Sequence, residues 1–518
     1  MEPKAPISDG SAILTEPNGG ENVLESKDAV AAELGTSSTR YSLLSRAQIR
    51  WIALLVRVAT MFSPLTANIY LPCVPLLQQD YETTLQLINT TITAYVLVQS
   101  IAPAFFSQLA ESLGRRPVYL ITFTIFVGAS VGLAVQTNYV SLLVLRMLQS
   151  AGSSVSTSIG YAVIADMSAP SERGRLLGPV MVTVNLGPVI APVIGGPMCN
   201  NLGWRWIFWF LTITGSFFLV AMAAFLPETG RKIVGNGRVE ARGINRPLLP
   251  FLIPKAEAYV KPQPVEYASN WKRVAAYIPN PFKCVMLVFQ RDSACVLSVS
   301  GLFYSSYYIM QASLPALFKD AYGYNETQIG LCYLALSIGV IFGSQIQAKL
   351  MDSNYRKTAK QAGWEIDRQG GDDLSQFPIE RARARLAWLF MTLQCACILG
   401  YGWSVHFRVH PSVPLIFMFL EGCCGWVQSW NTLMVEIHRD SPSTASAASS
   451  LVRGLFAAAG VAVMEPLYGA LGVGPFFSLV VGVVWCVGQL MIWVIEHKCM
   501  SWRLERESLK EDKRSMRS

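Results

Sequence analysis

About twelve apolar stretches, each able to supply the roughly 20 residues a membrane-spanning helix needs, run through this chain of 518 residues. They lie near 50–74, 84–109, 117–136, 139–163, 176–199, 204–226, 291–317, 327–350, 385–405, 412–435, 446–470 and 474–496. Inside a bilayer the backbone has no water to bond to, so such runs are confined to helices. Composition agrees: 52% of the residues are hydrophobic and 15% charged, against roughly 25% charged in a soluble domain. The expected fold class is an all-α membrane protein with twelve transmembrane helices.

The longest polar connection, Pro227 to Gln290, divides six spans from six, an arrangement that suggests two helical halves around one central site. The expected organisation is a disordered N-terminal segment (1–48), a six-helix half (49–226), a central loop (227–290), a second six-helix half (291–497) and a charged tail (498–518). Residues 1–45 are rich in Ser, Glu, Gly and Pro, a composition that does not bury a core. No cleavable signal precedes Arg50, so the first span is expected to target the protein.

The formal charge of +8 is distributed unlike a nucleic-acid surface. Arg115, Arg116, Arg173, Arg175, Arg231, Lys232, Arg356, Lys357, Arg381 to Arg385, Arg439 and the tail after His497 fall in alternate loops, while the opposite loops offer Arg205, Lys319 and Arg408. By the positive-inside rule both termini are cytoplasmic. The sequon Asn325-Glu326-Thr327 then lies outside, where glycosylation is open to it. Of eleven cysteines most sit inside predicted spans and read as small apolar packing residues. With four histidines, and only His406 and His410 at helical spacing, no metal site is expected.

Polar residues within spans are the functional candidates, because they are costly in lipid and face a bundle interior or a cavity. Span four carries Arg146, with Gln149 three residues on; an arginine at mid-span costs roughly 2.5–3.5 kcal/mol on insertion scales. Span one carries Arg57, Asn68 and Tyr70 around Pro64. Snorkelling to the interface is the alternative for Arg57, and a helix–helix hydrogen bond the alternative for Asn68 and Tyr70. Span ten carries Glu421 and span eleven Arg453. Glu421 is a candidate proton carrier, since burial favours a neutral carboxyl; a helix-packing acid is the bland alternative. Span five holds Gly187, Pro188, Pro192, Gly195 and Gly196, residues that let helices approach closely and bend. Between spans two and three, SQLAESLGRRP sets Glu111, Gly114, Arg115 and Arg116 together, which reads as a charged latch between helix ends, with a topogenic charge pair as its alternative. GSQIQAKLMD after span eight echoes it faintly.

These segments resemble the major facilitator superfamily, specifically its fungal twelve-span drug:proton antiporter branch of quinidine-resistance-type pumps and citrate exporters. The likeness runs from about Trp51 to Val494. Ser107–Pro117 is similar to the family's loop between spans two and three, with Ser107, Glu111 and Ser112 standing where Gly, Asp and Arg are usual. Leu142–Gly152 resembles the span-four motif whose arginine is implicated in proton coupling, which implies that role for Arg146. GPVIAPVIGG (Gly187–Gly196) resembles the span-five antiporter motif, with Ala191 in place of a usual Gly. LPETGRKIVGNG, GLCYLALSIG, MDSNYR and FPIERARAR are similar to this fungal branch in particular.

The expectation is a plasma-membrane secondary exporter, monomeric by default, whose partners are a small-molecule substrate, protons and the lipid bilayer, with no nucleic acid and no cofactor. It is not expected to be an enzyme, since the histidine clusters and serine elbow of catalytic sites are missing from the sequence. A Walker loop needs Gly-Lys followed by Ser or Thr, and the chain contains no Gly-Lys pair, so the energy comes from gradients. One proton moving across about 100 mV and one pH unit supplies roughly 3.7 kcal/mol. Tyr307, Tyr308, Trp426 and Trp430 suit a large amphiphile. The alternatives are a small organic anion such as citrate, held by Arg57, Arg146 and Arg453, and a receptor or sensor that binds solute without transporting it.

Overall fold

The computed structural model describes residues 44–168, 170–235, 241, 243–249, 282–363, 377–425, 427–438 and 442–515. Residues 1–43 of the expected disordered segment, most of the central loop and Trp426 lie outside the described residues, while Arg46 to Gln48 of that segment already belong to the first helix. Among the described residues twelve helical crossings follow one another: α1 (Arg46–Asn68), α2 (Leu85–Leu113), α3 (Arg115–Val135), α4 (Tyr139–Met167), α5 (Pro170–Leu202), α6 (Arg205–Phe225), α7 (Arg291–Tyr322), α8 (Glu326–Gln361), α9 (Ala387–His406), α10 (in two pieces, Ser412–Cys424 and Val427–Ile437), α11 (Pro442–Leu471) and α12 (Val473–Val494). A tail helix, α13 (Met500–Ser515), continues from α12 through one π-helical turn.

Nine helices among the described residues are long and apolar enough to cross a membrane. The three crossings outside that set are α4, α7 and α10. Helices α4 and α7 span 29 and 32 residues but are rich in serine, and Ser150, Ser153, Ser156, Ser300, Ser306 and Ser313 are buried. Polar faces of spanning helices turn inward because lipid cannot satisfy them, so α4 and α7 lie toward the interior. The expected single span ten is instead two pieces, Ser412–Cys424 and Val427–Ile437, the first ending at the extended Gly425. On the lipid side, Ile213, Phe217 and Val220 of α6 form an exposed stripe, Phe217 being 78% exposed.

The halves meet along two seams, α5 on α8 and α2 on α11. Cross-half hydrogen bonds among the described residues lie at mid-depth or toward the Asn325 end. Gln311 Nε2 donates to Asn68 Oδ1 at 2.8 Å, Gln86 Nε2 to the Ala462 carbonyl at 2.8 Å, and Ser337 Oγ approaches the Pro188 carbonyl at 3.5 Å. At that same end Cys73 and Cys199 form a disulfide joining the chain after α1 to α5. This departs from the reading of the cysteines as packing residues, which holds for buried Cys332, Cys395 and Cys397.

The expected echo of the first latch after span eight does not form a turn. GSQIQAKLMD contains no breaker after Gly343, and α8 runs on to Gln361 before Gly363, at φ +66°, ends it. The second half is tied instead by α13. Arg503 pairs with Glu380 at 2.8 Å and Arg506 with Asp292 at 2.8 Å, all four side chains being largely withdrawn from solvent.

Candidate functional site

Arg146 sits about two turns into α4, whose start is capped by the Asn138 side chain accepting from the Val140 N–H. It is 1% exposed. Its guanidinium lies between two aromatic rings, 4.2 Å from the centroid of Tyr70 and 4.2 Å from that of Tyr95. Nη1 donates to Gln149 Oε1 at 2.9 Å, and Gln149 Nε2 donates to Ser130 Oγ at 2.9 Å. The rings are themselves fixed: the Tyr70 hydroxyl meets Thr91 Oγ1 at 3.0 Å and the Tyr95 hydroxyl meets Ser153 Oγ at 3.0 Å. A desolvated cation–π contact is worth about 2 kcal/mol or more, so two of them offset much of the cost of a buried cation. No carboxylate among the described residues lies within ion-pairing distance, and Nε has no hydrogen-bond partner. The site therefore presents a rigid cation with a donor to offer.

Arg146, Gln149 and Tyr70, three of the candidates named from the sequence, are thus brought together. Asn68 is not part of this group; its amide donates to the Pro64 carbonyl at 2.7 Å and its oxygen receives Gln311, so it serves as a helix–helix bridge. Arg57 is half-buried on α1 with Nε unpartnered. Tyr95, Ser130 and Ser153 are functional neighbours that sequence reasoning missed, because their relation to Arg146 is tertiary.

Glu421 is fully buried in the first piece of α10, one turn before the break. Gln394 Nε2 of α9 donates to its Oε1 at 3.2 Å, while Oε2 has no hydrogen-bond partner. No basic side chain among the described residues is within ion-pairing distance, so Arg146 and Glu421 are not a pair in this conformation. They converge on α7 instead. Tyr308 is within electrostatic range of Arg146, Tyr307 of Glu421 and Tyr304 of Arg453. Tyr304 stands 6.2 Å from Tyr307 and 5.7 Å from Tyr308, ring to ring, and Arg453 lies 5.8 Å from the Tyr304 centroid. Three intramembrane charges on three helices thus share one tyrosine face. Trp430 is placed elsewhere, fully buried in an apolar cluster with Leu433 and Met434.

The latch is built within the first half. Gly114 adopts φ +113°, a conformation that suits glycine, and turns the chain so that the N–H groups of Arg115 and Arg116 reach Glu228 at 2.9 and 3.1 Å. Glu228 also accepts from the Thr229 and Gly230 N–H groups. Burial pushes its carboxyl above the ordinary value, and these N–H groups pull it back. Arg115 pairs with Asp166 at 3.1 Å. Arg116 donates to the Leu226 carbonyl at 2.8 Å and also to the carbonyls of Ile244 and Ala223. The expected carboxylate, Glu111, lies within electrostatic range of Asp166, but those receiving the two arginines' side-chain and backbone N–H groups are Asp166 and Glu228. Sequence held one signal for Glu228, an acid just beyond the end of span six. Glu228→Ala leaves four N–H groups without their acceptor and is expected to cost about 3 kcal/mol or more, read as a lowered unfolding temperature of the purified protein.

The span-five motif is a packing surface between helices. A Cβ on Gly187 would strike the Pro64 ring, and one on Gly195 the Ile69 carbonyl, so these two glycines admit α1. Gly196 faces the Glu326 carbonyl of α8, and Gly330 of α8 faces the Pro192 carbonyl. Pro192 has no N–H for the Pro188 carbonyl, which is the oxygen that Ser337 approaches. Asn325 caps α8, accepting from the Gln328 N–H at 2.9 Å.

Fold and site together define a multi-pass membrane protein of two six-helix halves around a charged, aromatic centre. Residues 57–464 match the family model of the Major Facilitator Superfamily. The chain is 33% identical over 98% of its length to a fungal protein named MFS-type transporter phiD, covering 76% of that protein. It is 32% identical over 90% of its length to citrate exporter 1 of Aspergillus niger, covering 89% of it. Among solved structures, a D-xylose-proton symporter superposes with a TM-score of 0.61 at 13% identity, over 86% of this chain and 97% of that one. The chain belongs to the Major Facilitator Superfamily. It is a transporter and not an enzyme.

Proposed function

We propose that this transporter is a secondary efflux protein that exports a drug-like compound or secondary metabolite from the cytoplasm by proton antiport with alternating access. The observation that carries the reading is the tyrosine face of α7, where the rings of Tyr304, Tyr307 and Tyr308 adjoin and Arg453 lies 5.8 Å from the Tyr304 centroid, together with the burial of Arg146 and Glu421. The tyrosine wall and the free Arg146 Nε offer contacts to an amphiphile. Glu421, buried with one neutral amide donor and no cation, carries the coupling proton. A buried carboxylate without a partner is costly in its charged form, so protonation and solute binding compete for the same interior.

Closure of both seams toward the Asn325 end leaves the centre to be reached from the opposite end, the one bearing the latch and both termini. That end is cytoplasmic in this reading, and the membrane is the plasma membrane. The Cys73–Cys199 disulfide supports the assignment, since disulfides persist where the compartment is oxidising, and the excess of Lys and Arg at the latch end agrees.

A second reading, export of a small organic anion such as citrate, is favoured by the two intramembrane arginines Arg146 and Arg453, neither of them ion-paired among the described residues, and by the name of the Aspergillus niger relative. Purified protein in liposomes under an imposed proton gradient distinguishes the two. Under proton antiport, adding an amphiphilic solute releases a proton flux that wild type supports; anion export at fixed membrane potential proceeds without one. Glu421→Gln, which mimics the protonated carboxyl, is expected to flatten the pH dependence of transport. A wild-type pH profile in that variant places the coupling carboxylate elsewhere.

A further inference from the structure

The segment that leads into α9 carries Arg381, Arg383 and Arg385. On its short helix, Ile379–Ala384, positions 381 and 385 fall on one face and 383 on another. Arg383 is committed: Nε donates to Glu436 Oε2 at 3.0 Å, and Nη2 meets the other carboxylate oxygen. Among the described residues neither Arg381 nor Arg385 is in such a pair, and the acid within electrostatic range of Arg381 is Glu496. Arg381 Nε reaches the Glu496 carbonyl at 3.3 Å and Arg385 Nη1 reaches Gln361 Oε1 at 3.1 Å. Each guanidinium has five N–H donors, so most remain available. Both line a cavity of about 500 Å³ between the end of α8, the start of α9 and the end of α12, together with Gln361, Trp388, Glu496 and His497.

The cavity's depth is marked by tryptophan. Trp388 and Trp493 are each 52% exposed, and Trp493 stacks on His497 with centroids 4.8 Å apart. Exposed tryptophans gather at the level of lipid headgroups. On the membrane side of that level α9 and α12 expose Leu389, Leu393 and Leu490, an apolar surface on which acyl chains can lie. Lys349, Arg356, Lys357 and Lys360 line the neighbouring α8 surface and raise the local concentration of anions. We propose that this cavity is a binding site for the phosphate headgroup of an anionic phospholipid of the same leaflet, held by Arg381 and Arg385. Basic pockets between spanning helices bind such headgroups, and the planar guanidinium fork matches phosphate oxygens. Glu496 lowers the net charge of the cavity, which favours a headgroup presenting a hydrogen-bond donor, such as a hydroxyl or ammonium, beside its phosphate.

Native mass spectrometry of the full-length protein, purified and titrated with phosphatidylserine, phosphatidylinositol and phosphatidylcholine, tests this. Wild type is expected to retain an anionic lipid over phosphatidylcholine, and Arg381→Gln with Arg385→Gln to weaken that retention by about tenfold or more. The triple change Arg356→Gln, Lys357→Gln and Lys360→Gln is expected to keep it. Equal retention by wild type and the double variant, or an equal loss in the triple variant, overturns the site. Protection of the protein by glycerol 3-phosphate with no retained lipid assigns the cavity to a soluble phosphate and overturns the lipid. If the double variant fails to fold, Arg385→Gln alone, which removes one hydrogen bond to Gln361, decides the matter by the same readout.

Discussion

Arg146→Ala is expected to abolish transport while surface expression stays at the wild-type level. The guanidinium is held between Tyr70 and Tyr95, and removing it deletes a buried charge without leaving an opposite charge behind among the described residues. Folding is therefore spared, because the desolvation cost disappears with the group. Arg146→Lys is expected to fail as well. An ammonium is a point charge and cannot stack its plane between two rings, and the loss of about 2 kcal/mol of cation–π contact corresponds to roughly thirtyfold. Efflux rate measured beside surface labelling checks both variants. Transport by Arg146→Ala at the wild-type rate removes Arg146 from the mechanism.

Gly330→Leu, and independently Gly196→Leu, is expected to stop transport by a different route. Each added side chain meets backbone of the opposite half, Pro192 or Glu326, and backbone cannot rotate away. Overpacking costs about 1–3 kcal/mol, which shifts a two-state equilibrium by about 5- to 150-fold. The seam at the Asn325 end then stays open. A cysteine placed at Gln311, which in this conformation is buried against Asn68, should react with an impermeant thiol reagent from that side in the leucine variants and stay protected in the parent. Protection in both would show that the glycines serve packing without governing closure.

Much of this architecture was legible before any coordinates. Long apolar runs dictate helices, and the polar residues within them point inward, which located Arg146, Gln149, Tyr70 and Glu421. What remained hidden was tertiary or local. Tyr95 reads as one more aromatic in an apolar run, and only the packing of α2 on α4 makes it the second wall of the cage. Glu228 lies 113 residues from Arg115, and no periodicity joins them. Cys73 and Cys199, 126 residues apart, share only the property of ending their helices on the same side. The first piece of α10 ends at Gly425 amid apolar neighbours, where hydropathy continues through it. At the loop between α2 and α3 the sequence offers Glu111 as the nearest carboxylate, whereas Asp166 and Glu228, which accept from Arg115 and Arg116, come from other helix ends.

The central claim is proton-coupled export through the Arg146 and Glu421 centre. It is tested most directly by comparing the solutes inside and outside cells that lack or overexpress the protein, with and without a protonophore. An amphiphilic compound that moves into the medium on overexpression, and stops moving when the protonophore is added, is the predicted result. A small carboxylate that appears outside and keeps leaving when the pH gradient is dissipated at fixed membrane potential would contradict it.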